Sequence, residues 1–249
     1  MKPIKIAILS LTHGHTRKYF QTLNDNPGFE WVAVSAESKK VQEIFYKYGY
    51  DVPCYMSDEE MFEKHPDIEA VVMASGNSRH LEQFRMCAER GIHILSMKIP
   101  TFDMNEYDEM IKLVEESGII CQVELEMHYN PVVNRMKKLF SENQLGVVSG
   151  INATNITLSP VCAFPWQGVP EESYGKRVPL NSNNTRFRGG ALCDHPHIFD
   201  MIRWLTKSEF DYIFAEVGPN IREELEVEDI ILVNGKMKNG VSFLLDPSW

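Results

Sequence analysis

The first half of the chain alternates buried apolar runs with stretches of helical spacing. Ile4 to Leu9 ("IKIAIL") predicts a strand, and Thr16 to Leu23 a helix. Trp31 to Ser35 is a second strand. Glu37 to Tyr48 is helical, with Val41, Ile44, Phe45 and Tyr48 on one face. Ile68 to Ser75 ("IEAVVMAS") is a third strand, followed by a helix from Ser78 to Arg90 that Gly91 ends. His93 to Met97 is a fourth strand. A helix from Asn105, its expected cap, to Ser117 stops at Gly118, and Ile119 to Leu125 is a fifth strand. Strands alternating with helices of this length predict βαβ units and a parallel sheet.

After Asn130-Pro131 the pattern changes. A helix to about Phe140 leads to Val147–Leu158, which alternates like a strand with one wet face. Residues 159–188 are rich in Pro, Gly, Ser and Asn and read as loop. Ala191 to Leu205 contains a helix with Ile198, Met201, Ile202 and Leu205 on its apolar face. "DIILVNGKM" and "GVSFLLDPSW" form a hairpin across Lys238-Asn239-Gly240. The expected fold is α/β: a Rossmann-type doubly wound parallel sheet over residues 1–123, then an α+β domain with a largely antiparallel sheet over 124–249. Because the chain stops at Trp249 directly after a strand, the second sheet is expected to be incomplete at its C-terminus, or completed by another chain.

Composition narrows the partners. A net charge of -10 argues against nucleic acid, which needs a clustered basic surface. No apolar stretch approaches the roughly 20 residues of a membrane span, so no membrane partner is expected. The N-terminus has no signal-peptide pattern, and the reading is cytoplasmic. Five scattered cysteines with no C-x-x-C pair suit reduced thiols.

Several stretches together resemble the Gfo/Idh/MocA family of two-domain NAD(P)-dependent oxidoreductases. They are "MASGNSRHLEQFRMCAERGIHIL", "HILSMKIP", "VELEMHYNP" and "GGALCDHPHIFDMIRWLT", in the family's order and spacing. Family members usually run longer, with more strands after the point where this chain ends. The resemblance implies a cofactor, NAD or NADP, and a hydride moved to or from a secondary alcohol of a sugar, polyol or related small molecule. It places Lys98 on the family's lysine, and Asp194 and His197 on its acid and base. It also implies a homodimer or homotetramer.

Departures from the family pattern concern the cofactor. The turn after the first strand reads Ser10-Leu11-Thr12-His13-Gly14-His15, and the family's three glycines fall on Ser10, Thr12 and His15. Those glycines permit the tight turn, the approach of backbone to pyrophosphate, and helix–strand packing. A phosphate can still sit at the following helix N-terminus, with Ser10, Thr12, His13, Gly14 and His15 as its shell. Ala36 takes the ribose-binding position; Glu37 beside it favours NAD over NADP, since a carboxylate repels a 2'-phosphate. Ser75, Asn77, His80 and Lys98 are the remaining cofactor contacts that the resemblance implies. Met97 and Ile99 replace the glutamate and proline of the family's Glu-Lys-Pro, and the gap between Asp194 and His197 is one residue short.

Position and chemistry support the catalytic set. Lys98 follows a buried run at the C-terminal end of a predicted parallel strand, where ligands of open sheets bind. His197 suits a general base, with Asp194 to orient it; capping the helix is an equal reading for Asp194. His128, Tyr129, Trp166, Arg188 and His195 are candidate substrate contacts, and Arg186 flanks the same loop. The pairs His13/His15 and His195/His197, and Glu126 with His128, invite a metal, but they lack helix-face spacing and no cysteine joins them. No metal is expected. The missing glycines keep open a family-shaped protein that has lost catalysis and binds a small ligand or scaffolds a partner. Metal-assisted lyase or isomerase chemistry at the histidines is a third reading.

Overall fold

A computed structural model describes residues 2–13, 15–36, 38–156, 190–223 and 227–249. The chain divides into two compact units, which meet in sequence between Glu124 and Leu125. Gly14, Glu37, Trp166, Arg186 and Arg188 lie outside the described residues.

The first unit is a six-stranded parallel sheet in the order β3-β2-β1-β4-β5-β6. Its strands are β1 (Ile4–Leu9), β2 (Phe29–Ser35), β3 (Cys54–Tyr55), β4 (Ala70–Met73), β5 (His93–Ser96) and β6 (Cys121–Val123). The helices between them are α1 (Thr16–Asp25), α2 (Lys39–Tyr46), α3 (Asp58–Lys64), α4 (Asn77–Arg90) and α5 (Met104–Ser117). β1 shows why the sheet is doubly wound. Ile6 and Ile8 join the cluster of Phe20, Leu23, Val41 and Phe45 under α1 and α2. Ala7 and Leu9 join Met61, Phe62, Phe84, Cys87 and Met110 under α3, α4 and α5. A strand buried on both faces must be apolar, and from Ile6 to Leu9 this one is. The order reverses between β1 and β4, and such a switch point opens a crevice at the C-terminal strand ends.

Two details differ from expectation. Neither β3 nor α3 was expected; α3 starts at an N-cap, where the Ser57 hydroxyl accepts from the Glu60 N–H at 3.1 Å. The cap of α5 is Asp103, not Asn105, because the Asp103 carboxylate accepts from the Asn105 and Glu106 N–H groups. Gly91 and Gly118 do end their helices, at φ of 68° and 69°, a left-handed conformation that costs glycine little.

The second unit holds a 3₁₀ turn (Glu126–Tyr129), α6 (Pro131–Ser141), β7 (Gly150–Thr154), α7 (Ala191–Asp194), α8 (Pro196–Thr206), β8 (Phe210–Val217), β9 (Ile231–Met237) and β10 (Ser242–Asp246). The sheet order is β7-β10-β9-β8. β10 pairs parallel with β7 and antiparallel with β9, and β9 pairs antiparallel with β8. On β9, Ile231, Val233 and Met237 are buried while Leu232 is half exposed. The buried set packs on Ile198 and Ile202 of α8. β8 was not expected from the sequence. The stretch expected to contain a helix, 191–205, holds two, α7 and α8, broken at His195 (φ -112°, ψ 52°). Pro196 causes the break, since proline disfavours helical geometry in the residue before it.

Candidate functional site

The first unit gathers most of its candidate residues at the C-terminal strand ends. The first position of the turn after β1 keeps the backbone of a glycine without being one: Ser10 sits at φ 71°. A left-handed non-glycine residue costs about 1–2 kcal/mol, and here the side chain is put to use. The Ser10 hydroxyl lies 3.0 Å from the Thr12 hydroxyl and accepts from the Thr12 N–H at 3.2 Å. The Thr12 hydroxyl donates to the Ala74 carbonyl at 3.4 Å, and the His13 N–H donates to the same carbonyl at 2.9 Å. His13 Nδ1 accepts from the His15 N–H at 3.2 Å. The Thr16 N–H and hydroxyl both donate to the His13 carbonyl, at 3.0 and 2.6 Å.

His15 is not turned to open solvent. Its Nδ1 lies 2.8 Å from Oε2 of Glu124, whose Oε1 accepts from the Tyr19 hydroxyl at 3.0 Å. Glu124, buried at the end of β6, was not singled out from the sequence. Its signal was a charged residue inside an expected strand, Ile119 to Leu125.

A second buried carboxylate ties the strand ends together. Asp58, fully buried, accepts from the Ser35 hydroxyl, from Gln83 Nε2 at 2.7 Å and from Arg79 Nη2 at 2.6 Å. Ser35 in turn accepts from the Ser10 N–H at 3.0 Å, and Ser75 donates to Gln83 Oε1 at 2.5 Å. The ends of β1, β2 and β4 are therefore linked through one side chain of α3.

Lys98 is half buried, two residues beyond the end of β5. Asn77 donates its amide to the Ile99 carbonyl. His80 is buried, with Nδ1 2.7 Å from the Pro100 carbonyl and Nε2 3.2 Å from the Ser75 carbonyl. Burial pushes its pKa below the usual imidazole range, and a neutral ring has one N–H to share between those acceptors. Asn77 and His80 thus shape the segment that carries Lys98.

In the second unit, α8 and the 3₁₀ turn exchange histidines and acids. His197 Nε2 lies 3.7 Å from Glu126 Oε2. His128 Nε2 lies 2.7 Å from Asp200 Oδ2, and the His128 ring stacks on Trp204 with centroids 4.4 Å apart. Asp194 is held differently from expectation. Its Oδ2 accepts the Trp249 indole N–H at 3.0 Å and lies 3.9 Å from His195 Nε2. His195 is buried, with Nδ1 2.7 Å from the Pro247 carbonyl. The side chain of Tyr129 is exposed.

A doubly wound parallel sheet with polar side chains at its switch point, followed by an α+β unit with a mixed sheet, defines the class: a two-unit protein of the dinucleotide-binding type. Residues 4–125 match the family described as "Oxidoreductase family, NAD-binding Rossmann fold", and residues 133–249 match the GFO/IDH/MocA C-terminal domain. The chain belongs to the Gfo/Idh/MocA family.

An uncharacterized oxidoreductase of Bacillus subtilis, YrbE, is 24% identical over 188 residues, covering 74% of this chain and 49% of its own. The myo-inositol 2-dehydrogenase of Thermotoga maritima is 22% identical over 214 residues, covering 84% of this chain and 58% of its own. Among solved structures, myo-inositol 2-dehydrogenase from Lactobacillus plantarum superposes with a TM-score of 0.81 at 20% identity, over 99% of this chain and 70% of that one. This likeness concerns the fold. The chain spans about half the length of the curated relatives it matches. No described helix is long and apolar enough to cross a membrane.

The first unit fits a dinucleotide in topology. Its phosphate turn is another matter. Where a glycine-rich loop presents bare N–H groups to pyrophosphate, the N–H groups of Thr12, His13, His15 and Thr16 are all taken up within the unit.

Proposed function

We propose that this protein is an oxidoreductase that moves a hydride between NAD and a secondary alcohol of a sugar, polyol or related small molecule. The observation that carries the reading is the match of both family domains, in order, over nearly the whole chain. One solved neighbour, a scyllo-inositol dehydrogenase from Lactobacillus casei with bound NAD(H) and scyllo-inositol, points to the same substrate class.

NAD, when bound, supplies the hydride acceptor. The chain's own residues manage the proton. Lys98 holds the reacting hydroxyl and favours its alkoxide character by its charge. His197 takes the hydroxyl proton. Glu126, 3.7 Å from its ring, stabilises the imidazolium and takes the orienting part first expected of Asp194. The substrate leaves as a ketone, one hydride and one proton poorer.

Titration with NADH, followed by its fluorescence, tests the reading, together with polyol-dependent reduction of NAD. Lys98→Met lowers kcat/KM by about 10²- to 10⁴-fold. No binding at millimolar nucleotide removes the reading. It would leave the alternative that the self-bonded turn favours: a small-ligand-binding or scaffold member of the family, stabilised by a sugar and not by NADH.

A further inference from the structure

We infer that the turn after β1 is self-capped: the Ser10 hydroxyl and the His13 imidazole occupy the backbone donors that pyrophosphate takes in a glycine-rich loop, and a dinucleotide binds only by displacing them. This rests on the NAD reading above and adds a cost to it.

The geometry is specific. A Gly-x-Gly-x-x-Gly turn has no side chain at its first position to reach back to its own N–H groups, and position 13 falls on a variable position of that motif. Here position 10 carries a hydroxyl that accepts from the Thr12 N–H, and position 13 carries an imidazole nitrogen that accepts from the His15 N–H. Both acceptors sit two residues before the donors they cap. That is the local side-chain competition by which Ser, Asn and Asp satisfy backbone in turns. The left-handed backbone at Ser10 aims the hydroxyl into the turn. The Ser10 N–H is anchored to Ser35, which is anchored to Asp58. The cap is therefore held from outside as well, and opening it need not disturb the sheet.

A ligand that must first break a contact binds more weakly by the free energy of that contact, because only the open fraction is competent. Each neutral hydrogen bond removed tightens binding roughly 2- to 12-fold. Nucleotide affinity is then set by two side chains whose ordinary effect in a phosphate site would be to strengthen it.

The test is the Kd for NADH, measured by fluorescence on the whole chain, for wild type, His13→Ala and Ser10→Gly. Far-ultraviolet circular dichroism and a melting curve establish that each variant folds. Both variants are expected to bind more tightly than wild type by about 2- to 12-fold; tighter binding in either folded variant supports the cap even if the other fails to fold. Binding by a variant where wild type shows none supports it further. Equal or weaker binding in the folded variants, with wild type binding measurably, overturns the cap and leaves the NAD reading standing. Silence from wild type and both variants at millimolar NADH overturns the NAD reading and the cap with it.

Discussion

Replacing Asp58 by alanine should loosen the first unit more than any other single polar change there. The carboxylate is fully buried and receives three donors: the Ser35 hydroxyl, the Gln83 amide and the Arg79 guanidinium. Truncation strands all three. Ser35 and Gln83 are buried and lose a partner that water cannot replace, at about 1–3 kcal/mol each. Arg79 has a side chain 35% exposed, so it rehydrates and adds less. The sum is about 3–5 kcal/mol, the range found when one partner of a buried pair is removed. Hydrogen exchange of the β1 and β2 amides reads this unit by itself. Their protection should fall by about 10²- to 10⁴-fold in Asp58→Ala. Asp58→Asn keeps one acceptor and should lose less. A fall below tenfold in Asp58→Ala would mean that the network is ornamental, and the account of how the strand ends are tied would be wrong.

Gly235 of β9 has no room for a side chain: a Cβ there would overlap the Tyr212 carbonyl oxygen and lie 2.7 Å from Phe243 Cζ. Gly235→Ala should cost about 3 kcal/mol, read as a lower urea midpoint, and a cost under 1 kcal/mol refutes the packing. Burial pushes the Cys121 and Cys193 thiols up to about 11. At pH 8 about one in a thousand is thiolate, so alkylation of these two by iodoacetamide should be slow and should rise about tenfold per pH unit to pH 10. A plateau by pH 9, located by peptide mapping, contradicts this. His80 is kept neutral by burial, so its contribution to stability is present above the usual imidazole pKa and is lost as pH falls below it. The drop in urea midpoint between pH 7.5 and 5 should be smaller in His80→Gln than in wild type; equal drops exclude His80 as a source.

Much of the fold was legible because burial on two faces leaves a plain trace. β4 reads as an unbroken apolar run, β1 is interrupted only by Lys5, and Gly91 and Gly118 marked helix ends that they do form. Elements without such a trace were lost. β3 is two residues long. β8 is exposed along almost its whole length, so no period singles it out. α3 had a readable start in Ser57-Asp58-Glu59-Glu60, and its shortness hid it. The candidate site was legible residue by residue, not as pairs. Lys98 and His197 stood out by position. That Glu126 would face His197, Asp200 would face His128, and Glu124 would hold His15 depends on long-range contacts. Local spacing carries no information on those.

The parallel pairing of β7 with β10 also governs how the protein is made. Gly150 meets Ser242, some 90 residues further along the chain. At about 5–20 residues per second on the ribosome, β7 waits roughly 5–20 seconds for its neighbour. Through that interval an unfinished sheet edge is open to other chains, while the six strands of the first sheet, the last ending at Val123, have all been made. Yield in cells should therefore depend on chaperones that shield nascent strands, and synonymous codons that slow synthesis between β7 and β10 should lower it.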